Sequence, residues 1–191
     1  MKTKTIKIKI YSFNELSNEV KEKILEEYRD INVNYSAWAD VVIDEWKMKL
    51  KDLGYFNVEI YYSGFYCQGS GAYFTGKVDV NEWIKKHKAK TRFKKLLKEI
   101  EQGCFYEIRI NHGYRYKMYV EYEAEGMSDK AYGQLKEVVN WIEQEAYELS
   151  EKIYKDLERE YEYLISDEAV IDTIKENNFE FLEDGSRQIY I

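Results

Sequence analysis

A glycine-rich segment, residues 63–76, holds the residues best suited to contact a ligand. It carries four glycines in fourteen positions, together with hydroxyl, amide and aromatic side chains. Glycine lets a backbone approach a ligand closely, and aromatic rings offer faces for stacking. A wide, bulged hairpin would need the same glycines, so a binding surface and a structural loop are equally favoured. The predicted binding residues are Ser63, Gly64, Phe65, Tyr66, Gln68, Gly69, Ser70, Gly71, Tyr73 and Phe74.

Part of this segment has the frame of a phosphate-binding loop, because Gly71 to Lys77 reads Gly-x4-Gly-Lys. That loop requires Ser or Thr after the lysine, and it must open a helix. Here Val78 follows the lysine, and residues 72–80 have the pattern of a strand. Gly69 and Gly71 alone do not make a dinucleotide fingerprint. The sequence therefore argues against an NTPase and against a dinucleotide-binding protein.

Cysteine and histidine are too scarce to suggest a metal or redox centre. The chain has two of each, Cys67 and Cys104, and His87 and His112. Zinc sites need three or four such ligands, and a disulfide framework needs more cysteines. Cys67 with a histidine as base would make a hydrolase, but no third group is evident to orient that histidine. We expect no metal, no cofactor and no catalytic residues, and we keep a hydrolase as an alternative.

Charge is distributed unevenly along the chain. Residues 1–120 hold 22 basic and 16 acidic side chains, whereas residues 121–191 hold 7 basic and 20 acidic ones. Eight basic residues lie between positions 85 and 98 with no acid among them. Such a run could contact phosphates or an acidic protein surface, or it could be the solvated face of a helix. Because the acidic last third would repel a polyanion, direct nucleic-acid binding is only an alternative. The predicted charged surface is Lys86, Lys90 and Lys94.

Hydrophobic periodicity predicts one α+β domain over residues 1–191, with an antiparallel sheet of about four to six strands packed against several helices. Strands are predicted over 3–11, 58–62, 72–78, 105–111 and 114–122, and a last hairpin turns at Asp184 and Gly185 between 179–182 and 188–191. Helices are predicted over 17–30, 36–53, 128–165 and 167–177, with Asn14 or Ser17 as the first cap, and residues 80–102 are predicted to form one or two helices that end at Gly103.

The helix over 128–165 is unusually long. At 1.5 Å per residue it would measure about 57 Å, whereas a compact domain of this size is roughly 40 Å across. Such a helix must break, protrude or cross a partner. Its apolar residues fit packing on the chain's own sheet, and their heptad-like spacing leaves a homodimer through this helix open.

The sequence shows no window of roughly 18 uncharged apolar residues, the minimum for a membrane-spanning helix. The first ten residues alternate charge with isoleucine and lack the apolar run of a signal peptide. We therefore expect a cytoplasmic protein that does not contact membranes.

Three segments resemble a group of small, uncharacterised proteins encoded widely in bacteriophage genomes. These segments are Tyr11–Ser17, Arg29–Val33 and Ser63–Ala72. The group has the pattern Ser-Gly-Phe-x-x-Gln-Gly-Asp-Gly-Ala, which Ser63–Ala72 matches at all but one of its defined positions. The resemblance covers roughly the first 80 residues. Ser70 stands where the pattern has Asp, so any chemistry that depends on that carboxylate is missing here.

The resemblance implies a phage-type anti-defence protein in the cytoplasm of an infected bacterium. It would inhibit by binding a host protein or nucleoprotein complex, CRISPR complexes included. The alternative is a protein that sequesters a small nucleotide-like ligand with the 63–76 segment. A partner that co-purifies from lysate would favour the first reading, and a thermal shift with nucleotides the second.

Overall fold

The computed structural model describes residues 7–113 and 118–187. It confirms the predicted α+β class. The helices are α1 (Asn18–Glu27), α2 (Asp40–Leu53), α3 (Val80–Lys86), α4 (Lys94–Glu101), α5 (Asp129–Leu164) and α6 (Asp167–Glu176), with 3-10 turns at Phe13–Glu15 and Ser36–Ala39. The strands are β1 (Tyr11–Ser12), β2 (Tyr55–Ser63), β3 (Gly71–Val78), β4 (Phe105–His112), β5 (Met118–Glu125) and β6 (Glu180–Phe181).

The chain divides into two compact units. The first comprises Met1–Ala39 and Arg159–Ile191, and the second comprises Asp40–Glu158. Because two compact units can belong to a single domain, the one-domain organisation stays a prediction.

The second unit is built on a four-stranded antiparallel sheet in the order β2-β3-β4-β5. Alternate residues such as Ile60, Phe74, Ile108 and Ile110 are buried, which is the pattern of a sheet with one covered face. Helix α5 contacts this sheet, since the Tyr147 hydroxyl donates to the carbonyl of Met118 at 2.7 Å.

Helix α5 runs unbroken over 36 residues, as its periodicity predicted. Its aliphatic stripe is buried within the chain, so a homodimer through this helix, which stays a prediction, would have to use other side chains. The buried positions are Leu135, Val138, Val139, Ile142, Ala146, Leu149, Ile153 and Leu157.

The first unit has its own small core, in which β1 pairs with β6. Ser17 caps α1 by accepting a hydrogen bond from the Val20 amide. Ser17 is one of the two residues that the sequence predicted as the cap. The buried members of this core are Phe13, Leu16, Ile24, Leu25, Val170, Ile174 and Phe181.

Two side chains of the Arg29–Val33 segment bind the carbonyl end of α5. Arg29 donates to the carbonyl of Ile165 at 3.1 Å and pairs with Asp167. Asn32 donates to the carbonyl of Leu164 at 3.0 Å and accepts from the Thr173 hydroxyl at 2.7 Å. The last carbonyls of a helix have no partner within it, so these contacts act as a cap. The segment therefore has a structural role.

The structure corrects the prediction of a strand over residues 3–11. Residues 7–10 are not in a strand, and Ile8 and Ile10 are 58% and 41% exposed. Pairing with β6 begins only at Tyr11, so among the described residues no neighbouring strand pairs with residues 7–10. Parts of three predicted strands, residues 3–6, 114–117 and 188–191, lie outside the described part of the chain.

The predicted helical region over 80–102 forms two helices, α3 and α4. Lys88, between them, has a φ of +55°. An α-helix cannot pass through the left-handed region, so the helix ends before this residue.

No helix in the described residues is both long enough and apolar enough to cross a membrane.

Glu99, 7% exposed, caps the start of α5. Its carboxylate accepts from the amide and the hydroxyl of Ser128, at 2.8 and 2.7 Å, and from Lys95 at 2.9 Å. The hydrogen bonds from Lys95 and Ser128 lower the pKa of Glu99 to about 2. The carboxylate therefore stabilises the fold above pH 4.5, its ordinary pKa, and this contribution is lost as the pH falls towards 2.

We predict that Glu99→Gln lowers the melting temperature at pH 7, because an amide cannot replace the charge that Lys95 and Ser128 bind. The difference from the wild type should shrink as the pH falls from about 4.5 to about 2, where the wild-type carboxylate is also protonated. Calorimetry across this range measures it. The exposed neighbour Glu101→Gln is the control, and a constant difference at every pH would contradict the prediction.

Candidate functional site

The glycine-rich segment forms the connection between β2 and β3. Ser63 and Gly71 are the last paired residues, so residues 64–70 make the loop. Gly64, Tyr66 and Gly69 have φ angles of +42°, +63° and +97°. Because side chains disfavour positive φ, two of the glycines are explained by the shape of the loop alone.

The hydroxyl groups of the loop bind the loop itself. Ser63 donates to the carbonyl of Gly69 at 3.3 Å. Ser70 donates to the carbonyl of Cys67 at 2.9 Å and accepts from the Cys67 amide at 3.2 Å. Ser63 and Ser70, which the sequence offered as ligand contacts, therefore have a role in holding the loop closed.

The predicted stacking residues fall into different environments. Phe65 is half-buried, with its ring centre 5.6 Å from that of Tyr154. Tyr73 stacks on Tyr61 at 5.0 Å and on His112 at 4.3 Å.

Phe74 is a correction, because it is fully buried and packs edge-on against Tyr55. Its ring belongs to the core and cannot stack on a ligand, since inward and outward positions alternate along a strand. Tyr66, 67% exposed, and Gln68 are the loop side chains most accessible to a partner.

The basic run forms a second exposed surface, at α3, α4 and their connection. Three of its members have acidic partners, since Lys85 pairs with Glu82, Arg92 with Glu137 and Lys95 with Glu99. The other five are exposed and form no ion pair within the described residues. We call these five the lysine face: Lys86, Lys88, Lys90, Lys94 and Lys98.

Two of these lysines share one side of α4. Lys94 and Lys98 both lie in this helix, and residues four apart in a helix are neighbours on one side. Lys94 and Lys98 therefore lie in a row, and Lys90 precedes them in the connection between α3 and α4.

A carboxylate that the sequence did not single out joins three elements of the second unit. Glu145 accepts from the Tyr55 hydroxyl at 2.6 Å and from the Trp83 indole at 2.7 Å. Its other oxygen lies 2.7 Å from Nε2 of His87. Burial and the charge of Glu145 both raise the pKa of Tyr55, so its proton stays in place. We call these four residues the Glu145 cluster.

The Glu145 cluster had no motif by which sequence could have found it. Its members come from β2, α3 and the middle of α5, up to 90 residues apart. The one signal was an acid on the inner part of an amphipathic helix, where acids are rare unless paired.

The described hydrogen bonds do not join Cys67 to a histidine. The Sγ atom of Cys67 lies 3.2 Å from the Ser70 hydroxyl, and both ring nitrogens of His87 have other partners, the Trp83 carbonyl and Glu145. Within the described residues, no group of three or more His, Cys, Asp or Glu side chains could hold a metal ion.

We predict that Glu145→Ala destabilises the protein strongly. The change leaves the hydroxyl of Tyr55 and the indole of Trp83 without an acceptor, although both residues are only 1% exposed. Each buried donor left unpaired costs roughly 1–3 kcal/mol. Glu145→Gln keeps one acceptor oxygen and should cost less.

Urea unfolding measures these free energies, and Glu148→Gln, one turn along α5, is the exposed control. Equal stability of Glu145→Ala and the wild type would show that the cluster does not support the fold.

No curated protein and no solved structure matches the chain. One family model does match, over residues 38–167, which is more than half of the chain. This region contains the loop, the lysine face and the Glu145 cluster. The chain therefore belongs to the family described as "Domain of unknown function (DUF8835)".

Proposed function

We propose that this protein is a phage-type anti-defence inhibitor that binds an acidic surface of a host protein or nucleoprotein complex, CRISPR complexes included. The observation that carries the binding mode is the lysine face, whose five charges have no acidic partner among the described residues. The phage origin and the inhibitory role rest on the sequence resemblance.

A row of unpaired lysines costs the isolated chain some stability. Like charges four residues apart on a helix repel by about 0.2–0.5 kcal/mol per pair. An acidic surface on a partner would remove that repulsion and would also speed association by attraction at a distance. The lysine face is therefore suited to a partner of opposite charge.

The chemistry of the whole chain favours an acidic protein surface over bare nucleic acid. The net charge is −7, and residues 121–191 supply 20 acidic side chains. Glu121, Glu123 and Glu125 are exposed along β5, in the same unit as the lysine face. These acids would repel a long polyanion, whereas a protein can present a local acidic patch.

We predict that reversing three charges, Lys86→Glu, Lys90→Glu and Lys94→Glu, abolishes inhibition. The test is phage plating on bacteria whose CRISPR immunity targets that phage, with the protein expressed in the host. Wild-type protein should restore plaques, and the variant should not. A pull-down from lysate of the same cells, at about 50 and about 200 mM salt, should show the captured protein decreasing with salt.

The matched control reverses three exposed lysines elsewhere in the second unit, Lys130, Lys152 and Lys155, with the same change in net charge. It should inhibit like the wild type. If wild-type protein restores no plaques, the anti-defence role is wrong for that immunity system. If the charge reversal and its control inhibit equally well, the lysine face is not the binding surface.

The loop offers a second contact surface for the same partner. We predict that the double variant Tyr66→Ala and Gln68→Ala weakens partner capture while the free energy of unfolding changes by less than about 0.5 kcal/mol, as for most surface substitutions. Capture and urea unfolding are measured on the same preparations. Unchanged capture would leave the loop as a purely structural connection.

A thermal shift with nucleotides, absent from the Tyr66 and Gln68 variant, would instead support the sequestering of a small ligand.

A further inference from the structure

A cavity of about 240 Å³ lies between α3 and α5 in the second unit. It is open to solvent and large enough for the end of one long side chain. The residues that line it are Trp83, His87, Trp141, Gln144, Glu145 and Glu148.

The walls of the cavity are aromatic. Trp141 is 37% exposed, and its ring centre lies 6.3 Å from that of Trp83. Trp83 in turn stacks on His87 at 4.0 Å. The face of an indole ring is electronegative, and tryptophan binds cations better than the other aromatic residues do.

The molecule already contains one example of this chemistry. The guanidinium of Arg92 lies 4.6 Å from the ring centre of Trp141. Arg92 also pairs with Glu137, and it is not among the residues that line the cavity. Arg92 thus contacts the Trp141 ring from outside the cavity lining, and this contact shows that the indole can bind a planar cation.

The His87 and Glu145 side chains are engaged with each other and with the chain. Nδ1 of His87 lies 2.7 Å from the carbonyl of Trp83, and Nε2 lies 2.7 Å from a Glu145 oxygen. The second Glu145 oxygen accepts from Tyr55 and Trp83, so this carboxylate has its partners within the chain.

Glu148 supplies the uncompensated charge of the cavity. One of its oxygens accepts from the amide of Gln144 at 3.0 Å. The other has no hydrogen bond or ion pair with the described residues. The cavity thus combines an exposed indole with the Glu148 carboxylate, one oxygen of which is available.

We propose that this cavity binds one arginine or lysine side chain of a partner protein, arginine being the better fit to the flat indole. The proposal deepens the proposed function and rests on it for the existence of a partner. A nucleic acid offers no cation, and its phosphates would meet Glu148. The partner surface therefore contains a basic residue beside the acidic patch that the lysine face contacts.

The first experiment uses a defined probe and needs no identified partner. An NMR titration follows the indole N–H signals of the wild-type protein with Nα-acetyl-arginine amide at constant ionic strength. The control is Nα-acetyl-citrulline amide, which has the same shape without the charge. We expect the arginine compound to shift the Trp141 signal in a saturable manner and the citrulline compound to bind at least threefold more weakly.

Two substitutions assign the binding to this cavity. Glu148→Gln should weaken arginine binding about two- to fivefold, as expected for an exposed ion pair. Trp141→Phe keeps an aromatic ring that attracts cations more weakly, so this substitution should also weaken arginine binding. Glu151→Gln removes an exposed acid from the same helix outside the cavity lining and should leave binding unchanged. Melting temperatures confirm that each variant is folded.

The outcomes separate this inference from the proposed function. The Lys86, Lys90 and Lys94 charge reversal should bind the arginine compound as well as the wild type does. Equal binding of the arginine and citrulline compounds, or full binding by Glu148→Gln, would overturn the cavity assignment and leave the lysine face standing. Tighter binding of spermidine than of the arginine compound would overturn the assignment to a protein side chain and indicate a free polyamine.

Discussion

The second unit depends on one carboxylate. Glu145 lies on α5, and the groups that it contacts come from Tyr55 at the start of β2, from Trp83 in the middle of α3 and from His87 directly after α3. Two of these donors belong to Tyr55 and Trp83, which are each only 1% exposed, so the carboxylate is the acceptor that satisfies them. The carboxylate thereby fixes the position of α3 against α5. The connection that carries the lysine face leaves from that same helix, so its position also follows from this contact.

Helix α5 is held at both ends by side chains of the charge that its dipole requires. The Glu99 carboxylate binds Ser128 at the amino end, and the Arg29 guanidinium binds the Ile165 carbonyl just beyond the carboxyl end. Anions stabilise the first turn of a helix and cations the last. The two contacts belong to different units, and each supports the unit in which it lies. A helix of 36 residues without proline or a break is consistent with this arrangement.

The sequence predicted the elements well because periodicity depends on local burial. The 128–165 pattern gave α5 nearly to the residue, since one continuous apolar stripe is buried. The strand prediction was wrong for residues 7–10, because alternating hydrophobicity cannot show whether a neighbouring strand exists. The site was less predictable. The glycine loop was found from composition, but Phe74 was misassigned as accessible, and the Glu145 cluster joins residues far apart in the chain. Such contacts follow from tertiary packing, which a single sequence does not reveal.

The two charged features of the second unit together constrain the partner more than either does alone. Some charged groups of the second unit are paired, as Lys77 is with Glu107 and Lys47 with Glu59. The lysine face and Glu148 carry charges of opposite sign that form no ion pair among the described residues. A uniform polyanion would be attracted by the lysine face and repelled by Glu148. A folded protein surface, on which acidic and basic side chains alternate over short distances, can satisfy both. Under the proposed function, this charge pattern therefore favours a protein surface over nucleic acid as the target, including within a nucleoprotein complex.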